Sequence, residues 1–200
     1  MSGENPVSGE DRTARRRFLW WTGGAFALVA LVVLVVVASH RASSSGSPAV
    51  HGAGGAAAVG SGEVGQRVAG FTISSIDGAR VRVPADRPGA LFFSTADCDS
   101  CVPSSIALGK LKRRFGSAVD VLWVSIDPSA GPAVVRRFRR TVGDPPYPFA
   151  VDTSGSLVRT YRITALGTAL VYDARGRVVF RADEPSLGAL RAAFAKAGLS

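Results

Sequence analysis

Cys98 and Cys101 are the chain's only thiols, and they lie three positions apart in the run FFSTADCDSCVP, residues 92–103. Such a pair can cross-link the chain, clasp a metal, or exchange electrons with another thiol. A cross-link closing so small a loop removes little entropy from the unfolded chain, so it stabilises little. A zinc clasp needs four ligands, and after His51 the chain offers no histidine and no second CxxC. No metal site is expected. Reversible exchange remains, and it needs no cofactor beyond the two sulfurs. The pair follows an apolar run and precedes a helical pattern, so it falls at a helix N-terminus, where free N–H groups favour a thiolate. Cys98 is then the exposed nucleophile, and Cys101 the buried thiol that resolves a mixed disulfide. Asp97 and Asp99 bracket Cys98. Their charge raises the pKa of a neighbouring thiol, which favours a reductant-like pair.

The elements that must hold this pair are legible in the flanking pattern. Ala90–Phe93 is a short apolar strand leading into the cysteines, and Val119–Ile126 is a second buried strand. Between them Leu108, Leu111 and Phe115 recur at helical spacing, and Gly116 is a stop. Val134/Val135, Phe138 and Val142 line one side of a further helix ended by Gly143. Arg136, Arg137, Arg139 and Arg140 fall on its other side, read as a solvated face. Phe149–Val151 precedes a helix through Leu157 and Tyr161. Phe71–Ser74 and Val81–Val83 flank Asp77-Gly78, and Thr168–Tyr172 and Val178–Phe180 flank Asp173–Gly176, giving two hairpins. A last helix is expected from Pro185, as a first-turn residue, to Gly198. Strands alternating with helices imply an α/β fold, a three-layer arrangement whose closing hairpin makes the central sheet mixed.

The first third of the chain reads differently. Residues 1–17 are a basic N-terminus, with Arg12, Arg15, Arg16 and Arg17, expected to stay in the cytoplasm. Phe18–Ala38 is an uncharged run of about 21 residues, roughly 30 Å as a helix, and residues 18–39 are assigned as a single transmembrane helix. A cleaved signal peptide and a twin-arginine export signal (Arg15-Arg16-Arg17-Phe18-Leu19) are the competing readings of this stretch. Residues 40–64 are rich in Gly, Ser and Ala and read as a flexible linker. Residues 65–200 then form one domain outside the cytoplasm, anchored to the cell membrane. There a disulfide persists. The net charge is +9, and residues 65–200 carry 19 Lys and Arg against 11 Asp and Glu, a net +8. Without a basic–aromatic stacking pattern this reads as a soluble, Arg-rich surface near lipid headgroups, not a nucleic-acid site.

From Gly65 onward the chain resembles the membrane-anchored TlpA/ResA type of thioredoxin-fold thiol–disulfide oxidoreductase. The matching marks are Phe71 with Asp77-Gly78, Leu-Phe-Phe-Ser-x-x-x-Cys98-x-x-Cys101, Pro148-Phe-Ala-Val-Asp152-x-x-Gly155, Tyr161-Arg-Ile163 and Val171-Tyr-Asp173-x-x-Gly176. The resemblance implies a reductase that acts on a disulfide-containing exported protein and draws on a membrane dithiol as electron donor. The chain departs from that pattern at defined positions. Asp97 replaces an aromatic residue before the first cysteine, and Ser104 and Ile106 stand at about the positions where the family has a helix glutamate and a proline. Gly167 occupies the place of the family's cis-proline, so Gly167 and Thr168 are the expected substrate-contacting residues. A glycine there is expected to leave open space above the sulfurs, and a proline to be accepted without loss of the fold. A Sco-type copper chaperone spaces its cysteines differently and adds a histidine. A peroxiredoxin-like peroxidase would match Thr95 but carry proline in place of Leu91. A non-catalytic redox-sensing or assembly partner is the reading from another class.

Overall fold

The computed structural model describes residue 60 and residues 62–200. The expected membrane helix at 18–39 and nearly all of the 40–64 linker lie outside the described residues. Among those described, no helix is long and apolar enough to cross a membrane.

Strands β1 (Phe71–Ser74) and β2 (Arg80–Val83) form the expected hairpin, a separate two-stranded sheet. Its turn is held by the Ser75 hydroxyl, which accepts the Asp77 and Ala79 N–H groups at 3.3 and 3.1 Å. The main sheet contains β3 (Gly89–Ser94), β4 (Asp120–Ser125), β5 (Phe149–Val151), β6 (Thr168–Tyr172) and β7 (Val178–Asp183) in the order β5-β4-β3-β6-β7. β3, β4 and β5 run parallel, joined by α1 (Val102–Phe115) and α2 (Pro132–Thr141). β6 and β7 are antiparallel. The sheet is mixed, as the closing hairpin implied.

Both faces of the sheet are covered, which is why β3 is buried along its whole length and reads as an unbroken apolar run. Phe92, Trp123, Phe149 and Val171 pack with Leu108 and Leu111 of α1, Phe138 of α2, and Phe194 of α4 (Leu187–Lys196). Leu91, Phe93, Leu122 and Leu170 face the other way, toward Val83 of the hairpin, Leu157 of α3 (Ser156–Thr160), and Tyr161. The short α3 is fixed by Asp152, which is 3% exposed. Its carboxylate accepts the Leu157 and Val158 N–H groups at 2.8 and 3.0 Å, using donors that a helix start leaves free.

Three sequence expectations need correction. The last helix begins at Leu187, and its cap is Ser186, whose hydroxyl accepts the Ala189 N–H at 3.2 Å. Pro185 therefore precedes the cap and is not in the first turn. In α2 the buried stripe is Val135, Phe138 and Val142, while Val134 is 54% exposed. Its arginines are not uniformly solvated either. Arg136 donates to the Ile76 carbonyl at 2.7 Å, and Arg139 pairs with Asp77 at 2.6 Å and Asp144 at 3.3 Å. These contacts pin the β1–β2 turn to α2.

Candidate active site

β3 ends inside the sheet, and the chain leaves it through a turn in which the Cys101 N–H donates to the Cys98 carbonyl at 3.2 Å. A single 3-10 turn, Asp99–Cys101, runs directly into the 14-residue α1, with proline in its first turn. Cys98 precedes the 3-10 turn and Cys101 precedes α1, so both sulfurs sit at the positive end of the helix. They are bonded as a disulfide with Cα atoms 5.4 Å apart. Cys98 retains 6% exposure and Cys101 none. Both cysteines are buried in the oxidised pair, because the disulfide draws both residues into the start of the helix. The expectation of an exposed Cys98 is thus corrected to a buried one that is slightly the more accessible of the two.

Two buried hydrogen bonds tie the base of the site together. The Ser104 hydroxyl donates to the Pro185 carbonyl at 2.9 Å, tying α1 to the segment that follows β7. Tyr147 donates to the Ser105 carbonyl at 2.9 Å, and burial pushes its phenol well above the ordinary value of 10.0, keeping it a neutral donor.

Gly167 is buried against Cys101. Its φ is +75°, its N–H donates to the Phe93 carbonyl and its carbonyl accepts the Glu184 N–H, both at 2.9 Å. The bond into Gly167 is trans, the single cis peptide among the described residues being Val83–Pro84. A β-carbon at position 167 would stand 2.6 Å from Glu184 Cγ and 3.3 Å from Cys101 Sγ. The space above the sulfurs is therefore not open. Glu184 fills it.

Glu184 had no signal in the sequence. It is an exposed acid at the end of β7, held at φ +45°, and its carboxylate accepts the Ser100 hydroxyl at 2.5 Å. Ser100 in turn lies 3.4 Å from Cys98 Sγ. Only the fold brings these groups together, because Ser100 and Glu184 are 84 residues apart. Asp97 and Asp99 flank Cys98 as exposed side chains with no ion pair or side-chain hydrogen bond among the described residues. Thr168 is 1% exposed, and its hydroxyl lies 2.6 Å from Asp183 Oδ1 and 2.8 Å from the Ala165 carbonyl. Its side chain is engaged inside the protein. The neighbouring Leu166, by contrast, is 40% exposed. Beside the pair a cleft of about 370 Å³ runs between α1 and the segment after β7, lined by Ser100, Pro103, Ile106, Lys110, Glu184 and Leu187.

The chain has relatives. The redoxin family model matches residues 65–196. A Streptomyces lividans protein named "Mercury resistance operon ORF3" is 31% identical over 130 residues, covering 64% of this chain and 69% of that one. Among solved structures, a thioredoxin-like protein from Aeropyrum pernix is similar at TM-score 0.56 and 22% identity, over 64% of this chain and 89% of that one. StoA from Bacillus subtilis gives TM-score 0.54 at 19% identity, over 63% and 96%. A secreted Mycobacterium tuberculosis disulfide oxidoreductase gives 0.55 at 19%, over 63% and 95%. At these identities the structures establish a shared thioredoxin-like fold.

Proposed function

The chain belongs to the redoxin family, thioredoxin-fold thiol–disulfide oxidoreductases, and from that premise we propose that it is a membrane-anchored reductase of disulfides in exported proteins. The observation that carries the proposal is the Cys98–Cys101 disulfide at the start of α1, with Cys98 the less deeply buried of the two residues.

In the reduced chain the Cys98 thiolate attacks one sulfur of a substrate disulfide. The substrate S–S bond breaks, a mixed disulfide forms, and the other substrate sulfur leaves as a thiol. The Cys101 thiolate then attacks Cys98 Sγ and expels the second substrate sulfur. The substrate has gained two electrons, and the pair is left as the disulfide seen here. A membrane dithiol returns two electrons and restores the cycle. The N-terminus of α1 favours the Cys98 thiolate, while the Ser100 hydroxyl 3.4 Å away gives its one proton to Glu184. Asp97 and Asp99 act in the opposite sense and hold the pair on the reducing side. Gly167 is buried under Glu184, so the exposed Leu166 beside it is the surface that a substrate strand meets next to the pair.

Attachment rests on the sequence. Arginines at 12, 15, 16 and 17 precede an uncharged stretch long enough to span a bilayer, which directs residues 65–200 outward. Trapping tests location and substrate together. Full-length Cys101→Ser, produced in its own host, is expected to accumulate a mixed disulfide with an exported protein, identified by mass spectrometry. Protease added to intact spheroplasts should digest that adduct. Adducts that are protected from protease, or that carry only cytoplasmic proteins, contradict the outward placement.

A further inference from the structure

We propose that the reduced site is also a cation site, in which the Cys98 and Cys101 thiolates and the Glu184 carboxylate bind a divalent ion of zinc's class. This rests on the reading that the pair cycles through a dithiol. One ligand atom from each of the three residues lies within 4.8 Å of the others. Ligands of a tetrahedral zinc ion, bound at roughly 2.0–2.3 Å, stand about 3.3–3.8 Å apart. Once the S–S bond opens, side-chain rotation of an exposed glutamate is enough to close that gap.

Three features point to a cation. First, reduction can place up to three negative groups within one small volume, and Glu184 has no ion-pair partner among the described residues. Second, Gly167 clears the room that the glutamate occupies, since a β-carbon there would displace Glu184 Cγ and crowd Cys101 Sγ. Third, the Ser100 hydroxyl already orients the carboxylate, as outer hydrogen bonds commonly orient metal ligands. Two thiolates and one carboxylate make a mixed set suited to a borderline ion such as zinc. The fourth position is left to water or another sulfur. A search for zinc patterns in the sequence misses this set because its third member is a carboxylate from the far end of the sheet.

The site is gated by redox state. Disulfide sulfurs carry no charge, so only the dithiol form has the ligands. Binding releases a proton from each thiol that was still protonated, so affinity rises with pH until both are ionised. A bound ion holds both sulfurs as thiolates and competes with disulfide exchange.

The test uses the reduced full-length chain in detergent, titrated with zinc chloride against a chromophoric chelator. We expect one zinc per reduced chain, none in the oxidised chain, and a loss of affinity of about tenfold or more in Glu184→Gln. Cobalt in place of zinc gives a second reading. Sulfur-to-cobalt charge-transfer bands should appear in the reduced parent and shift in Glu184→Gln. Failure of the reduced parent to bind zinc stoichiometrically overturns the proposal, as does a Glu184→Gln variant that binds as tightly as the parent. Disulfide exchange is followed in the same preparations. A chain that exchanges disulfides without binding zinc removes the cation site and leaves the oxidoreductase reading standing. One that binds zinc but exchanges nothing removes the oxidoreductase reading and leaves the site.

Discussion

Gly167→Pro is expected to destabilise the domain by about 3 kcal/mol or more, contrary to what the sequence resemblance alone suggests. Three costs coincide at this position. Proline holds φ near −65°, whereas the chain requires +75°. The ring removes the N–H that donates to the Phe93 carbonyl in the middle of the sheet. Its β-carbon enters the volume held by Glu184 Cγ and Cys101 Sγ. Gly167→Ala keeps the hydrogen bond and is expected to lose roughly 1–3 kcal/mol, from the positive φ and the crowding of the glutamate. Urea unfolding of the full-length chain, followed by circular dichroism, measures both. A proline variant as stable as the parent contradicts the backbone described here.

Cys98→Ser is expected to reduce disulfide exchange to the uncatalysed rate, whereas Cys101→Ser should complete the first step and stop at the mixed disulfide. The asymmetry follows from placement. Cys98 keeps 6% exposure and has a hydroxyl 3.4 Å away, while Cys101 is sealed beneath Gly167 and the start of α1. Iodoacetamide should therefore label Cys98 of the reduced chain faster than Cys101, by about tenfold or more. Peptide mapping of a timed labelling series reads the ratio. Equal rates at the two sulfurs contradict the assignment of nucleophile and resolving thiol.

Much of the scaffold was legible because its signals are local. The apolar run of β3, the helical spacing of Leu108, Leu111 and Phe115, and the glycine-marked turns at Gly78 and Gly176 each lie within a few residues of the structure they specify. That is enough to place a CxxC pair at a strand-to-helix junction. What escaped depends on contacts across the sheet. Glu184 reaches the sulfurs only because β6 and β7 pair antiparallel and Gly167 is hydrogen-bonded on both sides, to Phe93 and to Glu184. No sequence period encodes that meeting. The apolar residue Val134 looked buried by type along with Val135, but of the two neighbours only Val135 lies on the buried face of α2. Pro185 misled for a simpler reason. Proline suits a first helical turn, yet it is equally accommodated before the cap, and Ser186 offers the better capping oxygen.

The central claim is that the Cys98–Cys101 pair passes electrons to other disulfides. Turnover tests it most directly. Catalytic amounts of the full-length chain in detergent are supplied with dithiothreitol as electron source and a disulfide-bonded protein as acceptor, and acceptor thiols are counted over time. The account predicts many acceptor disulfides reduced per chain, with the excess over background lost in Cys98→Ser. A pair that dithiothreitol reduces but that delivers no electrons to any acceptor would contradict it.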